Sequence, residues 1–154
     1  MPKINSKNVS VTIGTTYPAP LDTPCKLRVT RRLSNAGNLT QLGANHVTLP
    51  PDCWASQRHH HSVEDEFIYI LTGHPTLIDD NGETPLKPGD SCAHPAGDNN
   101  AHHLVNNSGK DVTFLVVGTR NSEQDHCQYP DVDLDLPPNG TFIRQQFHKD
   151  GSPY

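Results

Sequence analysis

The chain has 154 residues, a length that suits one domain with a core of its own. Its 12 basic and 17 acidic residues give a formal net charge of -5, and no run of Lys or Arg exceeds the pair Arg31-Arg32. This charge argues against a nucleic-acid-binding protein, and the lack of any apolar run of about 20 residues argues against a membrane span.

Composition favours an all-β domain. Only 32% of the residues are hydrophobic, while 14 are Pro and 11 are Gly. Many turn formers and few long apolar runs are typical of short strands joined by tight loops. Because the apolar supply is thin, we expect a homodimer that buries more surface. The four cysteines lie far apart without a C-x-x-C pair, and no apolar signal segment is visible, so we expect reduced thiols and a cytoplasmic location.

The first part of the chain predicts an arm followed by short strands. Residues 1–23 carry little periodicity and are expected to form an extended arm. Residues 27–33 alternate apolar and polar side chains, as a half-buried strand does. A turn is expected at residues 34–38. It is followed by strands around residues 39–42 and 45–49.

The centre of the chain is rich in histidine and carboxylate. Residues 58–66 contain three imidazoles and three carboxylates, directly before the apolar run at residues 67–71. In a strand, His59 and His61 share one face, because successive side chains point to opposite sides. Two imidazoles with a nearby carboxylate can bind a divalent transition metal. Taken alone, the pattern is explained equally well by a solvated His-rich turn.

The second half predicts a hairpin and further strands. Asp80-Asn81-Gly82 between residues 76–79 and 83–86 is a strong hairpin signal, and Pro85 indicates a strand edge or end. Further strands are expected at residues 91–94, 102–106 and 112–117. The last of these is apolar on both faces, as an interior strand would be. Beyond Gly118 the chain is polar and Pro-rich, and we expect this tail to lie across the outside of the domain.

The central residues resemble the first motif of the cupin superfamily. His59-x-His61, four residues, Glu66, six residues and Gly73 follow its spacing. The motif's opening glycine is replaced by Cys53. The later residues resemble the second motif, whose members here are Gly89, Pro95, Gly97, His102 and Asn106.

One spacing departs from the second motif. Four residues rather than two separate Gly97 from His102, so His103 with Asn107 gives another alignment. His102 is preferred, because Asn106 and the turn after it then match the motif. The resemblance covers residues 45–118. It implies an all-β fold, namely a cupin-type double-stranded β-helix (jelly-roll barrel) with extended N- and C-terminal arms, and residues 1–154 are expected to form this single domain.

The resemblance also implies a metal site with one or two positions open for water or substrate. The implied ligands are His59, His61, Glu66 and His102. This donor set suits Fe, Zn, Mn, Ni or Cu, so it predicts one divalent transition metal ion without selecting it. Acid/base candidates lie nearby in the sequence: Glu64, Asp65 and His94. Candidates for substrate binding are Arg58, Ile68, Ile70, Leu104 and Asn106.

The function predicted is that of a metal-dependent enzyme in which the metal acts as a Lewis acid and a side chain moves a proton. An isomerase, lyase, decarboxylase or cyclase would fit. Two alternatives use the same residues, an Fe(II)-dependent dioxygenase and a non-catalytic cupin that binds a small ligand. The apolar candidates around the site suggest a small, partly apolar organic substrate, with no nucleic-acid or membrane partner.

Overall fold

The computed structural model describes residues 3–141 and 144–154. Residues 1 and 2 of the predicted arm and residues 142 and 143 of the predicted tail lie outside the described residues. Within these two ranges strands dominate, with one short helix, α1 (Leu33–Ala36), and two 3-10 helices, Ser6–Asn8 and Thr23–Cys25. The strands are β1 (Val11–Ile13), β2 (Val29–Arg32), β3 (Leu42–Leu49), β4 (His60–His61), β5 (Glu66–Thr72), β6 (Thr76–Asp79), β7 (Gly82–Pro85), β8 (Ser91–His94), β9 (His103–Val105), β10 (Val112–Thr119), β11 (Cys127–Gln128) and β12 (Asp135–Leu136).

The largest sheet is antiparallel and has the order β1-β2-β3-β10-β5-β8. Strand β10 lies between β3 and β5, which confirms the interior position predicted from its apolar faces. The strand expected at residues 45–49 is part of the longer β3, but the strand expected at residues 39–42 does not form, since Leu42 alone of those residues belongs to β3. Part of the N-terminal arm is itself a strand, because β1 pairs with β2.

Two smaller sheets complete the described part of the chain. One has the order β7-β6-β9, and it contains the predicted β6–β7 hairpin, whose two turn residues are Asp80 and Asn81 because Gly82 already pairs with Asp79. Pro85 ends the edge strand β7, where its missing N–H group breaks no ladder. The other sheet, β12-β11-β4, joins the tail to the His-rich segment through β11 and β4.

The main core lies between the six-stranded sheet and the β7-β6-β9 sheet. Ile70 and Phe114 of the large sheet and Leu104 of the small one are fully buried within it. Gly73 closes β5 with φ +77°, and a Cβ there would lie 2.6 Å from Val112 Cγ1. Glycine is therefore required where this strand turns against β10.

The tail forms a second core. Leu134 is fully buried, and Tyr129 packs near Tyr17 of the N-terminal arm. The expectation that the tail lies across the outside is thus wrong for these residues, because their apolar side chains are buried against the arm. All four cysteines are free thiols, as predicted. Within the described ranges, no helix is long and apolar enough to cross a membrane.

Candidate metal centre

Three of the four predicted ligands meet at one point. His59 and His102 face each other across an isolated antiparallel bridge, and Glu66 begins β5. Their donor atoms all lie within 4.8 Å of one another, and His102 Nε2 is 3.2 Å from Glu66 Oε1. Both histidines are nearly inaccessible, at 9% and 2% exposure. Two imidazoles and a carboxylate in this arrangement could hold a metal ion.

Hydrogen bonds fix the tautomers of two histidines. His59 Nδ1 is 2.9 Å from the Gln57 carbonyl oxygen, which can only accept, so Nδ1 donates and Nε2 carries the lone pair. His61 Nδ1 is 2.6 Å from Asp125 Oδ2, which fixes the same tautomer. A histidine that donates its second N–H to a carbonyl or carboxylate is the usual arrangement of a metal ligand.

The proton states of the cluster also suit a metal. Burial lowers the pKa of His59 to about 3, so its imidazole is neutral. Burial acts to raise the pKa of Glu66, but the hydrogen bond with His102 and the neighbouring His59 outweigh it and lower this pKa to about 2. Metal ligands of these types bind as neutral imidazole and ionised carboxylate.

His61 lies beside this cluster, with its ring centroid 5.0 Å from that of His59. Donor atoms of His61, Glu64 and Asp125 also lie within 4.8 Å of one another. However, Arg144 Nη2 is 2.9 Å from Glu64 Oε2 and 2.8 Å from Asp125 Oδ2. Because the Arg144 guanidinium already binds both carboxylates, the group is an ion-pair network that orients His61 rather than a second metal site.

Cys127 is a neighbour that sequence reasoning missed. Its sulfur lies within 4.8 Å of donor atoms of His59 and His61. Burial raises the pKa of this thiol to about 12, so it is protonated. Cys127 and Asp125 reach the site because β11 pairs with β4, opposite His61. No local spacing in the sequence signals that long-range pairing.

The two adjacent histidines at the start of β9 have different surroundings. The Nε2 edge of the His102 ring points to Glu66. The face of the same ring stacks on His94, with ring centroids 3.3 Å apart. His103 Nδ1 donates to the Ser56 carbonyl oxygen, and its ring packs edge-on against Trp54. The structure therefore brings His102, not His103, into the cluster.

The acid/base candidates are separated by the fold. Glu64 accepts a hydrogen bond from Asn121 N at 2.7 Å and lies on the same cavity wall as Glu66. Asp65 accepts from Ala96 N at 2.8 Å and holds the loop after β8. The His94 ring stacks on the His102 ring, and burial lowers the pKa of His94 to about 4.

Two cavities meet at the cluster. The inner cavity, of about 230 Å³, lies inside the barrel and is lined by His59, His102 and Glu66. The outer cavity, of about 870 Å³, opens beyond it and is lined by His61 and Glu66. Arg32 also borders both cavities. The cluster therefore sits between a small internal space and a larger one of the size that small-molecule sites usually have.

Two of the five substrate-binding candidates line a cavity, and the other three do not. Ile68 and Leu104 line the inner cavity. Ile70 is packed in the main core, and Asn106 donates to the Leu49 and Lys110 carbonyl oxygens, which ties two loops together. Arg58 is ion-paired with Asp131 and Asp80. These last three candidates border neither cavity, because their side chains are engaged elsewhere in the fold.

Two residues that line the inner cavity, Thr30 and Asn45, each have an unpaired oxygen. Thr30 Oγ1 and Asn45 Oδ1 are buried, and neither has a hydrogen-bond partner in residues 3–141 or 144–154. Buried polar atoms in folded proteins are nearly always paired with protein, water or ligand. Both oxygens are closed to solvent, so the inner cavity offers a ligand apolar contact with Ile68 and Leu104 rather than these two acceptors.

Comparisons with known proteins agree with this architecture. A family model described as a cupin domain matches residues 45–118. A crystal structure of a sugar phosphate isomerase from a cupin superfamily of Silicibacter pomeroyi is 40% identical. The match covers 99% of this chain and 96% of that one with a TM-score of 0.92. A candidate sugar phosphate isomerase from Acidithiobacillus ferrooxidans is 27% identical, with 83% and 80% coverage and a TM-score of 0.73.

A more distant match shares the fold. The polyketide cyclase from Streptomyces resistomycificus is 24% identical, covers 77% of this chain and 79% of its own, and has a TM-score of 0.62. A search of curated proteins finds none that matches the chain.

Proposed function

The chain belongs to the cupin superfamily. We propose that it is a metal-dependent isomerase that acts on a small phosphorylated sugar. The observation that carries the proposal is the cluster of His59, Glu66 and His102, in which Glu66 lines both the inner and the outer cavity. The 40% identity to a sugar phosphate isomerase supports the reaction class. The cytoplasmic location expected from the sequence stays a prediction.

Four side chains would hold the metal: His59, His61, Glu66 and His102. Their nitrogen and oxygen donors suit Fe, Zn, Mn, Ni or Cu. Such an ion supplies Lewis-acid polarisation of a substrate carbonyl or hydroxyl oxygen. Asp125 and the Gln57 carbonyl oxygen orient two of these histidines with Nε2 available. The chain thus holds two of the four ligands, His59 and His61, in the tautomer that leaves Nε2 free, whereas His102 Nε2 donates to Glu66 and would give up that hydrogen bond to a metal.

Glu64 is the proposed acid/base residue. Among the three candidates, its carboxylate borders the outer cavity together with Glu66, whereas Asp65 is used to hold a loop. An aldose–ketose isomerisation moves one proton from the carbon beside the carbonyl to the carbonyl carbon, and a second proton from the hydroxyl oxygen to the carbonyl oxygen. Glu64 would take and return the carbon-bound proton, with Arg144 holding its carboxylate in place, and the oxygen-bound proton would exchange through solvent in the outer cavity.

Two apolar residues support contact with the substrate. Ile68 and Leu104 line the inner cavity and would contact the carbon skeleton, which fits the apolar contribution expected from the sequence.

The test combines metal analysis with proton exchange. Protein purified without chelator or added metal is expected to contain about one transition metal ion per chain. It should isomerise members of a panel of aldose phosphates and exchange the transferred proton with deuterated solvent. Glu64→Gln should retain the metal but lose isomerisation by about a hundredfold or more. Asp65→Asn is the matched control and should retain activity.

Three outcomes would contradict the proposal. Bound iron with turnover that requires oxygen would favour the dioxygenase alternative. Absence of metal, with ligand binding unaffected by chelation, would favour a non-catalytic binding protein. Equal activity of Glu64→Gln and the unmodified protein would remove Glu64 from the reaction.

A further inference from the structure

The outer cavity contains more positive than negative side chains. Three arginines border it, Arg32, Arg120 and Arg144, together with the carboxylates of Glu64 and Glu66. Arg144 is neutralised locally, because its Nη2 contacts both Glu64 and the buried Asp125. The other two arginines form no ion pair with a carboxylate among the described residues.

Arg120 is held in place by neutral acceptors. Its Nη1 donates to the Leu39 carbonyl oxygen at 2.9 Å, and its Nη2 donates to Ser34 Oγ at 2.9 Å and to Asn35 Oδ1. These bonds orient the guanidinium without compensating its charge. A positive group fixed at a cavity wall in this way is prepared to attract an anion.

Arg32 approaches the same region from the neighbouring strand. It pairs with Asn45 of β3, and Gly43 lies two residues away on the same face of that strand. A Cβ at Gly43 would lie 3.6 Å from Arg120 Nε, so the Arg120 side chain lies over the face of β3 that carries Asn45, the pairing partner of Arg32. The Arg32 side chain itself makes no hydrogen bond within the described part of the chain, and it borders both cavities.

We propose that Arg32 and Arg120 form the subsite that binds the phosphate group of the substrate. Guanidinium groups suit this role because their parallel N–H groups match two phosphate oxygens. The outer cavity links this subsite to Glu66, so one small molecule can have its phosphate at the arginines and its reacting carbons at the metal cluster. The assignment rests on the proposed function, since it names the group that such a substrate would present.

The test measures binding of inorganic phosphate by the metal-loaded protein. Isothermal titration is expected to detect phosphate binding to the unmodified protein. Arg32→Gln should weaken it by about tenfold or more, because charge-assisted hydrogen bonds are lost. Arg32→Lys, which keeps the charge but not the planar fork, should give an intermediate loss. Since Arg32 is exposed, these variants are expected to fold, which circular dichroism checks.

Arg31→Gln is the matched control, because Arg31 is adjacent in β2 but points to the opposite side, near His46. It should bind phosphate like the unmodified protein. Equal affinity in Arg32→Gln and Arg31→Gln, as expected if phosphate bound only to the metal, would overturn the subsite. So would the absence of phosphate binding to the unmodified protein.

Activity measurements separate this proposal from the proposed function. If no aldose phosphate is isomerised but phosphate binding still depends on Arg32, the subsite stands and the reaction is wrong. If isomerisation occurs and Arg32→Gln leaves KM for the phosphorylated substrate unchanged, the reaction stands and the subsite is wrong.

Discussion

At the scale of single residues, Asp125 controls the orientation of His61. It is fully buried and accepts hydrogen bonds from His61 Nδ1 and from Val63 N at 3.0 Å. Asp125→Asn keeps the size but removes the charge that fixes the His61 tautomer. We expect metal affinity to fall by about 10–100-fold, the usual effect of losing such a partner. Competition with a chelator measures this change.

Asp133→Asn provides the matched control. Asp133 also accepts from a histidine, His148 Nδ1 at 2.7 Å, but this pair lies at the surface, where the Asp133 side chain is 61% exposed. Loss of the Asp133 charge should leave metal affinity unchanged. If Asp125→Asn bound metal as tightly as the unmodified protein, the carboxylate would not be what prepares His61.

The spacing of the ligand residues explains how much of the site could be predicted from the sequence. His59, His61 and Glu66 lie within eight consecutive residues, and His102 follows a recognisable turn pattern, so their spacing is local information. Asp125 reaches the same site from the tail only through pairing of β11 with β4. Nothing in its neighbouring residues encodes that contact.

At the scale of secondary structure, the strands that were predicted are those with a clear turn motif or a long apolar run in the sequence. The turn signal Asp80-Asn81-Gly82 predicted the β6–β7 hairpin, although the turn itself is Asp80-Asn81, and the long apolar run predicted β10. Strands β11 and β12 have two residues each, which is too short for any periodicity. Tertiary packing against the N-terminal arm determines their position instead.

This packing predicts that the tail is an integral part of the folded domain. Leu134 is fully buried in the second core, so Leu134→Ala should lower the free energy of unfolding by about 2–5 kcal/mol. Leu42→Ala is the matched control, since Leu42 is 37% exposed and its loss should change stability by about 0.5 kcal/mol or less. Urea unfolding measures both. Similar small values for the two variants would mean that the tail contributes little to the stability of the domain.

At the scale of the whole molecule, the two motifs were sufficient to predict the barrel, because their histidines and glycines mark strand ends and turns of one architecture. Gly73 illustrates this: its φ of +77° and its contact with Val112 leave no room for a side chain. The reaction could not be predicted in the same way. One donor set suits several metals, and the arginines of the outer cavity come from strands far apart in sequence.

The surface of the whole molecule bears on the expected homodimer. Phe67 and Tyr69 point away from the core at 42% and 41% exposure, and β10 presents Val117 and Leu115 beside them. An antiparallel sheet with one face in water normally carries polar residues at such positions. We therefore expect two copies to pack these faces together.

Light scattering after size-exclusion chromatography should give about twice the 16.9 kDa of one chain. Phe67→Lys combined with Tyr69→Lys should halve that mass without unfolding the domain, because both side chains are outside the core and two buried lysines per face would repel. Glu83→Lys changes charge on the exposed edge strand β7 and should leave the dimer intact. A monomeric mass for the unmodified protein would contradict the dimer. A dimer that survives both lysines would mean that the two copies associate through another surface.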